Sequence, residues 1–418
     1  MRVIVFGAGG REHALVKALA ASPSVSEVHA VPGSDGIALE ALCHAVDPLD
    51  FTRLGALLDR FSFDLAVIGP EAYLDKGLGD FLRSKGIPTV GPGQTAARLE
   101  SSKSFAKKFM VESGVPTAAF AEVSSAEDVE AAALKFKPPY VLKLDGLAAG
   151  KGVFICSTIE ELQEKADQVF RRKSFGSAGK QALLEEFQSG EELSCLVLTN
   201  GSEFEILPLM QDHKRLKDKD EGPNTGGMGV VGPLKISEDL KNELVEKVVR
   251  PSVKGLERMG LDFKGVLFIG VMMTAKGPSV LEYNVRFGDP EAQGIMPLLD
   301  GDWGLVLKDL ARGKLESLKW KPLYSACVVL AAPGYPEQPE KGVRIEGDLD
   351  HQTPSSYFLH AGTVYQDKFW VTQGGRVLNA VGVGFSLEEA LKKAYAQAEA
   401  VRFRGLQMRK DLGSGAKF

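Results

Sequence analysis

The sequence predicts a multidomain protein of the α/β and α+β classes, and three observations support this prediction. The chain has 418 residues, which is too long for one small core and favours two to four domains. Its first 100 residues alternate short apolar runs with helical patterns, as in an open parallel α/β sheet. Residues 326–418 are β-rich and glycine-rich and end in a predicted helix at Leu387–Phe403.

The N-terminal region, residues 1–100, shows the alternation that is typical of parallel sheets. Its apolar runs and its first helical pattern predict strands at Val3–Phe6, Glu27–Val31, Leu65–Ile68 and Pro88–Gly91, and a helix at Glu12–Ala21. A polar or glycine-rich loop follows each of these strands. Because ligands bind at the carboxyl ends of the strands in such sheets, we expect these loops to contact a substrate.

The central region, residues 101–325, mixes strands with helices and contains a long irregular stretch. Its predicted elements are helices at Ser101–Ser113, Ile159–Phe170 and 236–259, and strands at Tyr140–Leu144, Val153–Ser157, Ala182–Phe187 and near 193–199, 204–210, 266–274 and 279–286. Residues 211–235 have little periodicity and much charge, glycine and proline. A stretch of this length inside a compact domain is usually functional or disordered.

Composition and charge exclude several classes of protein. Hydrophobic residues make up 44% of the chain and charged residues 25%, as in ordinary globular proteins. The net charge is −5 and the chain has no basic run, so we expect no nucleic-acid partner. No apolar run approaches the length of a membrane span. The chain begins directly with a strand pattern and its four cysteines are scattered, which favours reduced thiols in a cytoplasmic protein.

The segment 280–291 carries the strongest chemical pattern. Side chains alternate along a strand, so Glu282, Asn284 and Arg286 are predicted to share one face. Two hard oxygen ligands suit Mg²⁺, and a guanidinium beside them suits the charge that develops on a phosphoryl group. Taken alone, the segment fits an ordinary half-exposed strand with surface charges equally well.

A glycine-rich loop follows the first strand and opens the first helix. Gly9, Gly10 and Arg11 would offer backbone N–H groups, a helix N-terminus and a cation to a phosphate. The dinucleotide pattern G-x-G-x-x-G fails because Glu12 stands at the third glycine position, which favours a sugar monophosphate over NAD. Glu71, after the strand Leu65–Ile68, would accept hydrogen bonds from a sugar hydroxyl or an amine, although a solvent-facing turn glutamate explains it almost as well.

A glycine-rich hairpin is predicted between the first two strands of the central region. Its spacing and its flanking strands differ from those of a Walker A loop. Such a hairpin can close over a triphosphate as a lid, with Lys103 and Lys143 as phosphate cations and Gly150, Lys151 and Gly152 in the lid itself. A solvated surface charge is the alternative for each lysine.

The strand end near residue 186 offers groups for a nucleoside. Backbone groups around Glu185, Glu186 and Phe187 would read an adenine edge, and Glu192 would chelate ribose hydroxyls. When this segment is taken alone, an acidic loop explains it better than a nucleoside-binding site does.

The long irregular stretch offers groups for the reacting atoms. Lys214 and Arg215 would contact a transferring phosphoryl group, and the glycines that follow Thr225 would supply backbone donors. Loops of this kind carry function more often than structure. His213 is expected to be a structural hydrogen-bonding residue and not a general base.

The order of these segments resembles the ATP-grasp ligases and, more narrowly, the phosphoribosylamine–glycine ligase family of purine biosynthesis. The resemblance spans essentially the whole chain and rests on Gly9-Gly-Arg-Glu-His-Ala14, Gly69-Pro-Glu71, Lys143-x-Asp-Gly-Leu-Ala-Ala-Gly-Lys-Gly152, Gln211-Asp-His-Lys-Arg215, Gly222-Pro-Asn-Thr-Gly-Gly-Met-Gly229, Asn284-x-Arg-Phe-Gly-Asp-Pro-Glu291 and Gly374-Gly-Arg-Val-Leu378. The runs at 222–229 and 284–291 are highly specific. Ala8, Tyr73 and Gln373 depart from the family's usual residues, and none of them is a presumed catalytic group.

The resemblance implies a fold and a reaction. The fold would have an N-terminal open parallel α/β domain (1–100), a central ATP-grasp domain (101–325) with a mobile lid (about 118–188), and a C-terminal β-rich domain (326–418). The reaction would join glycine to 5-phospho-β-D-ribosylamine through a glycyl phosphate. Its products would be the glycinamide ribonucleotide, ADP and phosphate.

The resemblance also implies a role for each candidate residue. Glu282 and Asn284 would bind Mg²⁺ or Mn²⁺, and Arg286 and Lys214 would be catalytic by stabilising charge on the acyl phosphate. The residues that would bind ATP are Lys103, Lys143, Gly150, Lys151, Gly152, Glu185, Glu186, Phe187 and Glu192. Those that would bind glycine and the phosphoribosylamine are Gly9, Gly10, Arg11, Glu71, Asp212, Asn224, Thr225, Gly226 and Asp289.

Several points stay open on sequence alone. The strand before the metal strand, residues 266–273, carries no acid, so either two protein oxygens suffice for the metal or another residue contributes. A monomer is expected, but neither the oligomeric state nor the position of the lid follows from the sequence. The competing functions are an ATP-grasp ligase with a different donor or acceptor, a non-enzymatic nucleotide-binding protein, and a dinucleotide oxidoreductase.

Overall fold

In the computed structural model, which describes residues 1–146, 152–350 and 352–414, the N-terminal region folds as a parallel α/β domain. Its elements are β1 (Arg2–Gly7), α1 (Gly10–Ala20), β2 (Glu27–Pro32), β3 (Leu42–Cys43), α2 (Phe51–Arg60), β4 (Leu65–Ile68), α3 (Glu71–Asp75), α4 (Leu78–Ser84), β5 (Thr89–Val90) and α5 (Gln94–Ser101). The strands are all parallel, in the order β3-β2-β1-β4-β5. The predicted open sheet is confirmed, and the loops after the neighbouring strands β1 and β4 meet at its carboxyl edge.

The central region forms two antiparallel sheets. Its elements are α6 (Lys103–Ser113), β6 (Phe120–Val123), α7 (Ala126–Ala133), β7 (Tyr140–Leu144), β8 (Val153–Cys156), α8 (Ile159–Ala166), β9 (Ala182–Glu186), β10 (Glu191–Thr199), β11 (Phe204–Ile206), β12 (Gln211–Asp212), β13 (Arg215–Lys217), β14 (Glu221–Asn224), β15 (Gly229–Gly232), α9 (Glu238–Leu244), α10 (Arg250–Arg258), β16 (Gly265–Thr274), β17 (Gly277–Asn284), α11 (Glu291–Ile295) and α12 (Trp303–Ala311). The central sheet has the order β11-β10-β16-β17, and the lid sheet has the order β6-β9-β7-β8. The lid sheet and its helices α7 and α8 enclose a core of their own, whereas the central sheet shares a core with the N-terminal domain.

The C-terminal region is β-rich, as predicted. Its elements are β18 (Tyr324–Ala331), β19 (Glu346–Gly347), β20 (Ser356–His360), β21 (Thr363–Gln366), β22 (Phe369–Thr372), β23 (Arg376–Gly384), α13 (Leu387–Glu399) and β24 (Val401–Arg402). The main sheet has the order β12-β15-β18-β23-β20. Two of its five strands, β12 and β15, therefore come from the central part of the chain.

The five predicted helices all have different bounds in the structure. The predicted Glu12–Ala21 is Gly10–Ala20, the predicted Ile159–Phe170 ends as an α-helix at Ala166, and the other three differ as follows. Ser102 is extended (φ −134°, ψ 109°) and separates α5 from α6, whose first turn it caps by accepting a hydrogen bond from Phe105 N. A π-helical turn at Val245–Val249 lies between α9 and α10, within the predicted helix 236–259. The last helix ends at Glu399 because the next residues pair as β24 with β19.

The stretch 211–235 is also more regular than its sequence indicates. It contains the strands β12 to β15, and β13 pairs with β14 as an irregular hairpin. These strands are only two to four residues long, and β14 and β15 contain glycine or proline, so they show no period-2 pattern. The strands β12 and β15 join a sheet through the pairing of β15 with β18, which lies far along the chain.

Candidate active site

The register of the central sheet determines what surrounds Glu282, one of the two predicted metal ligands. Glu282 of β17 is paired with Gly270 of β16, which is paired with Ser194 of β10. Residues directly opposite each other on antiparallel strands point to the same face, so Glu282 and Ser194 share a face. A Cβ atom on Gly270 would lie 3.4 Å from Glu282 Cγ, so the glycine leaves room for the carboxylate over the sheet. Tyr283 and Val285 point the other way and are buried, as the alternation predicts.

Three lysines that were predicted to bind phosphates meet around Glu282. Burial works against ionisation of this carboxyl, but Lys214, Lys143 and Lys103 lower its pKa below the ordinary value. Among the described residues, no side chain forms a hydrogen bond or an ion pair with the Glu282 carboxylate. An ionised carboxylate without a protein partner thus lies among cations that are suited to phosphate oxygens.

The donor set fits a divalent metal ion. Glu282 offers a free carboxylate, and the Asn284 Oδ1 atom, on the same face of β17, accepts a hydrogen bond from Arg286 Nη2 at 3.1 Å. Within the described residues, no group of three His, Cys, Asp or Glu side chains could hold a metal. Two protein oxygens would therefore leave most coordination positions to phosphates and water, as is usual for Mg²⁺ at nucleotide sites.

Arg286 joins the central sheet to the N-terminal domain. Its guanidinium pairs with Glu100 Oε1 at 2.8 Å and with Glu71 Oε2 at 3.3 Å, and it also donates to Phe287 O. Burial opposes the charge on Arg286, but Glu100 and Glu71 raise the pKa of the guanidinium above its ordinary value. The predicted catalytic arginine is thus held between two carboxylates, of which Glu100 was not anticipated. Val285 N donates to the other oxygen of Glu100 at 2.8 Å.

Glu100 is expected to make stability depend on pH. Burial raises the pKa of Glu100 from 4.5 to about 7, against the opposing effect of Arg286. A raised pKa stabilises the folded state fully below about pH 4.5, and this contribution disappears as the pH rises through 7. The wild-type protein should therefore lose at most about 3 kcal/mol of unfolding free energy over this range relative to Glu100→Gln.

Urea unfolding at several pH values between 5 and 8 measures this difference. The matched control is Glu112→Gln, which changes an exposed carboxyl on α6. It should keep the wild-type pH dependence. A difference between wild type and Glu100→Gln that does not change with pH would contradict the prediction.

The lid is attached to the central region through a buried group of charges. The Glu185 carboxylate pairs with Lys107 Nζ at 3.0 Å and with Lys143 Nζ at 3.1 Å, and Lys143 Nζ also donates to Leu281 O. Burial lowers the pKa of Lys107 to about 8, although Glu185 counteracts it. Lys107 lies one helical turn after Lys103, a spacing that marks one helix face, but no sequence prediction included it.

We expect Glu185→Gln to destabilise the fold strongly. It leaves two buried ammonium groups without their carboxylate, and breaking such a buried pair costs about 3 kcal/mol or more. Glu186→Gln is the control, since Glu186 is the exposed neighbour on the same strand. Urea unfolding of both variants checks the prediction, and equal losses in the two would contradict it.

The other ATP-binding candidates lie at the start of α6, along the lid and on β10. Lys103 Nζ donates to Gly146 O at 3.4 Å, and the N–H group of Glu186 donates to Ala119 O at 2.9 Å. Phe187 follows β9 and is partly exposed. Gly150 and Lys151 lie outside the described residues, whereas Gly152 is described and its carbonyl accepts from Leu144 N.

The hairpin of β13 and β14 brings Lys214 to the site. Lys214 Nζ forms an ion pair with Glu192, so a predicted phosphoryl contact and a predicted ribose contact are partners in the structure. Burial opposes the charge on Lys214, but Glu192 and Glu282 raise the pKa of its ammonium group. Both the N–H and the hydroxyl group of Thr225 donate to Lys214 O at 2.8 Å, which closes the base of the hairpin.

Asp212 lies beside the base of the β13–β14 hairpin, and its buried carboxyl group has little compensation for the loss of contact with water. Its Oδ1 atom is inaccessible and has no hydrogen-bond partner among the described residues. Burial and Glu291 raise the pKa of Asp212 well above its ordinary value. Gly227 has a φ of +108°, and a Cβ atom there would lie 2.8 Å from Asp212 Oδ1 and 2.5 Å from Pro290 Cδ. Only glycine fits this close approach without strain.

Glu12 explains why the first glycine loop departs from a dinucleotide pattern. Its carboxylate accepts from Gly9 N at 2.8 Å and from Arg11 Nε at 2.6 Å. A Cβ atom on Gly69 would lie 1.9 Å from Glu12 Oε1, so this side chain fills the space between the loops after β1 and β4. Arg11 also donates to Phe287 O. The Gly9 N–H group and the Arg11 guanidinium, which were predicted to bind a phosphate, are therefore already hydrogen-bonded to other groups of the protein.

The candidates Asp289 and Gly226 are linked by an arginine of the C-terminal domain. Arg376 Nη2 pairs with Asp289 Oδ2 at 3.0 Å, and its Nη1 donates to the carbonyl oxygens of Gly226 and Asp289. Burial opposes ionisation of Asp289, but Arg376 lowers its pKa. The candidate Asn224, at the end of β14, is exposed. Arg376 was not among the predicted site residues, although the motif that contains it, Gly374-Gly-Arg, was noted.

Comparison with known proteins is decisive for the family. Three domain models of phosphoribosylglycinamide synthetase match the chain: the N domain at residues 1–100, the ATP-grasp (A) domain at 101–292 and the C domain at 325–415. The chain belongs to the phosphoribosylglycinamide synthetase family. Its match to an ATP-grasp domain means that it uses ATP together with a divalent metal.

Full-length relatives and solved structures agree with this family. The chain is 41% identical to phosphoribosylamine–glycine ligase of Ralstonia nicotianae, over 100% of this chain and 99% of the relative. It is 42% identical to that of Phenylobacterium zucineum, over 99% of each chain. The crystal structure of the Thermotoga maritima phosphoribosylamine–glycine ligase superposes with a TM-score of 0.87 at 37% identity, covering 98% of this chain and 100% of that one.

A more distant structure shows the fold alone. The biotin carboxylase domain of Hydrogenobacter thermophilus 2-oxoglutarate carboxylase superposes with a TM-score of 0.75 at 17% identity, over 97% of this chain and 91% of that domain. This likeness confirms the ATP-grasp architecture that the sequence predicted for this family member. Within the described residues, no helix combines the length and apolarity that a membrane span requires.

Proposed function

We propose that the chain catalyses the ATP-dependent ligation of glycine to 5-phospho-β-D-ribosylamine, a step of purine biosynthesis. The observation that carries the proposal is the ionised Glu282, which has no hydrogen-bond or ion-pair partner among the described residues and lies among Lys214, Lys143 and Lys103. The chain also matches a member of the family over its whole length. The full-length relatives named above are phosphoribosylamine–glycine ligases. An ATP-grasp ligase with a different donor or acceptor is the alternative.

The metal would be held by Glu282 and Asn284, with Mg²⁺ proposed and Mn²⁺ as a substitute. When bound, it would supply positive charge that neutralises the ATP phosphates during phosphoryl transfer. Lys103 and Lys143 would hold the same phosphates from α6 and β7. The hairpin residues Gly150, Lys151 and Gly152 would cover them, while Glu185, Glu186, Phe187 and Glu192 would contact the nucleoside.

The chemistry needs an activated carboxylate. An oxygen of the glycine carboxylate attacks the γ-phosphorus, and the bond from that phosphorus to ADP breaks, which gives glycyl phosphate and ADP. Lys214 and Arg286 would stabilise charge on this acyl phosphate, since fixed cations in a site shielded from water stabilise developing charge strongly. Closure of the lid would keep water away from the acyl phosphate.

The second step forms the amide. The amine of the phosphoribosylamine attacks the acyl carbon, phosphate leaves, and the amine loses a proton. Asp212 and Asp289 would bind glycine on its ammonium side, and Asn224, Thr225 and Gly226 would line the reacting centre. No covalent enzyme intermediate is required.

Gly9, Gly10, Arg11 and Glu71 would hold the phosphoribosylamine at the N-terminal sheet. Phosphate binding at the first loop would displace the contacts that Glu12 now makes with Gly9 and Arg11. We further propose the domain limits 1–100, 101–325 and 326–418, with a lid at about 118–188. We also propose a monomer in the cytoplasm.

A coupled assay of ADP release tests the proposed function. The purified protein receives ATP and Mg²⁺, with phosphoribosylamine formed in situ from ribose 5-phosphate and ammonia. ADP release is expected only when both glycine and the phosphoribosylamine are present, and restoring omitted glycine should restore it. Release with another amino acid and not with glycine would refute the proposal and favour the alternative.

A further inference from the structure

The last described residues of the chain lie along the hairpin that carries Lys214. We call residues 407–414 the C-terminal strap. Its central residue, Arg409, has one of the largest fully buried side chains, with 2% of its surface exposed. A buried guanidinium requires compensation at each of its donors, so its partners reveal what the strap holds.

The partners of Arg409 lie on the strap and on the hairpin. Its Nε and Nη2 atoms donate to both oxygens of Asp411, at 2.7 and 2.8 Å. Its Nη1 atom donates to Asp220 Oδ1 at 2.6 Å and to Arg215 O at 3.4 Å. Asp411 orients the guanidinium, and the guanidinium binds the turn and the first strand of the hairpin.

Backbone groups strengthen the same attachment. Lys219 N donates to Asp411 Oδ2 at 2.7 Å, and Lys410 N donates to Asp218 Oδ1 at 2.8 Å. Lys219 and Asp220 have positive φ values of 59° and 54°, a conformation that costs free energy in residues other than glycine. The contacts of the strap therefore stabilise a hairpin turn whose backbone conformation is unfavourable on its own.

The strap also reaches the base of the hairpin, next to the site. Gly413 N donates to His213 Nε2 at 3.2 Å, and His213 Nδ1 donates to Gly229 O at 3.3 Å. Burial lowers the pKa of His213, which agrees with a neutral ring that bridges the strap and β15. The adjacent residue is Lys214, whose carbonyl oxygen accepts both hydrogen bonds from Thr225.

The hairpin cannot supply this rigidity alone. Its two strands pair at Arg215 with Asn224 and at Lys217 with Glu221, and the register shifts between these pairs. An isolated two-stranded hairpin is marginally stable at best in water. A defined position for Lys214 therefore requires contacts from outside the hairpin.

We propose that Arg409 is a positioning residue for the ligase reaction. Through the C-terminal strap it fixes the hairpin of β13 and β14, and so the place of Lys214 beside Glu282. This inference rests on the proposed function, because Lys214 is assigned there to the acyl phosphate. Misplacement of a catalytic group by about 1 Å can cost roughly 100-fold in rate.

The test compares Arg409→Met and Arg409→Lys with Arg402→Met. Arg402 lies just before the strap and pairs with Glu346, but its side chain is 85% exposed and, within the described part of the chain, it has no hydrogen bond or ion pair to the hairpin. At a temperature where all variants are folded, Arg409→Met should lower kcat by about 10–100-fold with the KM for ATP within about twofold of wild type. Arg409→Lys should be impaired as well, because a lysine cannot reproduce the planar fork that Asp411 and Asp220 bind.

A double-mutant cycle separates positioning from general stability. If Arg409 acts through Lys214, then Arg409→Met should change kcat by less than about twofold in a Lys214→Met background. The proposal would be overturned if the effects of Arg409→Met and Lys214→Met on kcat multiply in the double variant. It would also be overturned if both Arg409 variants keep the wild-type kcat. If Arg409→Met does not fold, the same cycle is run with Arg409→Lys. Failure of wild type and Arg402→Met to use glycine and phosphoribosylamine would instead refute the proposed function.

Discussion

Glu282→Gln should lower kcat by about 1,000-fold or more while the fold remains intact. The change removes the charge that would bind the metal, and metal stabilisation of phosphoryl transfer is worth several kcal/mol. The fold should survive because, among the described residues, the Glu282 carboxylate has no hydrogen bond or ion pair to lose. The measurements are ADP release at increasing Mg²⁺ and Mn²⁺ concentrations and the thermal midpoint.

Glu257→Gln is the control for this variant. Glu257 is an exposed carboxyl on α10, remote in sequence from β17. It should retain wild-type kcat and the wild-type metal dependence. Near-normal turnover of Glu282→Gln would end the assignment of Glu282 to the metal.

Arg286→Met should both destabilise the protein and abolish turnover. The Glu100 side chain is 7% exposed, and above about pH 7, where it is ionised, loss of its guanidinium partner leaves a buried carboxylate uncompensated, at a cost of up to about 3 kcal/mol. Turnover should fall by at least about 100-fold, because a fixed charge aimed at the acyl phosphate is lost. Urea unfolding and the ADP assay measure the two effects.

The double variant Arg286→Met with Glu100→Gln separates these two effects. Removing the buried carboxyl should restore most of the stability, because the other partner of Arg286, Glu71, has a side chain that is 32% exposed and accessible to water. Turnover should stay low, since the catalytic guanidinium is still absent. Recovery of both properties together would show that Arg286 serves structure alone.

The sequence was sufficient to predict those features that depend on local period or spacing. Alternation along β17 placed Glu282 and Asn284 on one face, and the alternation of strands and helices predicted the parallel sheet of residues 1–100. Lys143 was predicted as a phosphate-binding residue because it precedes a glycine-rich hairpin. The signals for β17 and for Lys143 each lie within about ten consecutive residues, whereas the signal for the sheet is a pattern repeated along residues 1–100.

Features that depend on tertiary contacts were not predicted. Glu100 and Lys107 look like ordinary helix surface residues, and only packing against Arg286 and Glu185 shows that they are buried. Glu12 was recognised as a break in a motif, whereas the structure shows it as the side chain that fills the loop. The strand β12 has only two residues and β15 has only four, of which two are glycine, so neither shows a period, and their sheet is completed by β18.

The placement of β12 and β15 has a practical consequence for chimeric enzymes. A graft that exchanged the C-terminal domain at residue 325 would pair a foreign β18 with the native β15, at the edge where Gly229 lies opposite Val328. Such a hybrid would combine unrelated halves of one sheet directly behind Lys214. A transplantable unit must therefore be discontinuous in the chain, carrying residues 211–232 together with residues 324–414.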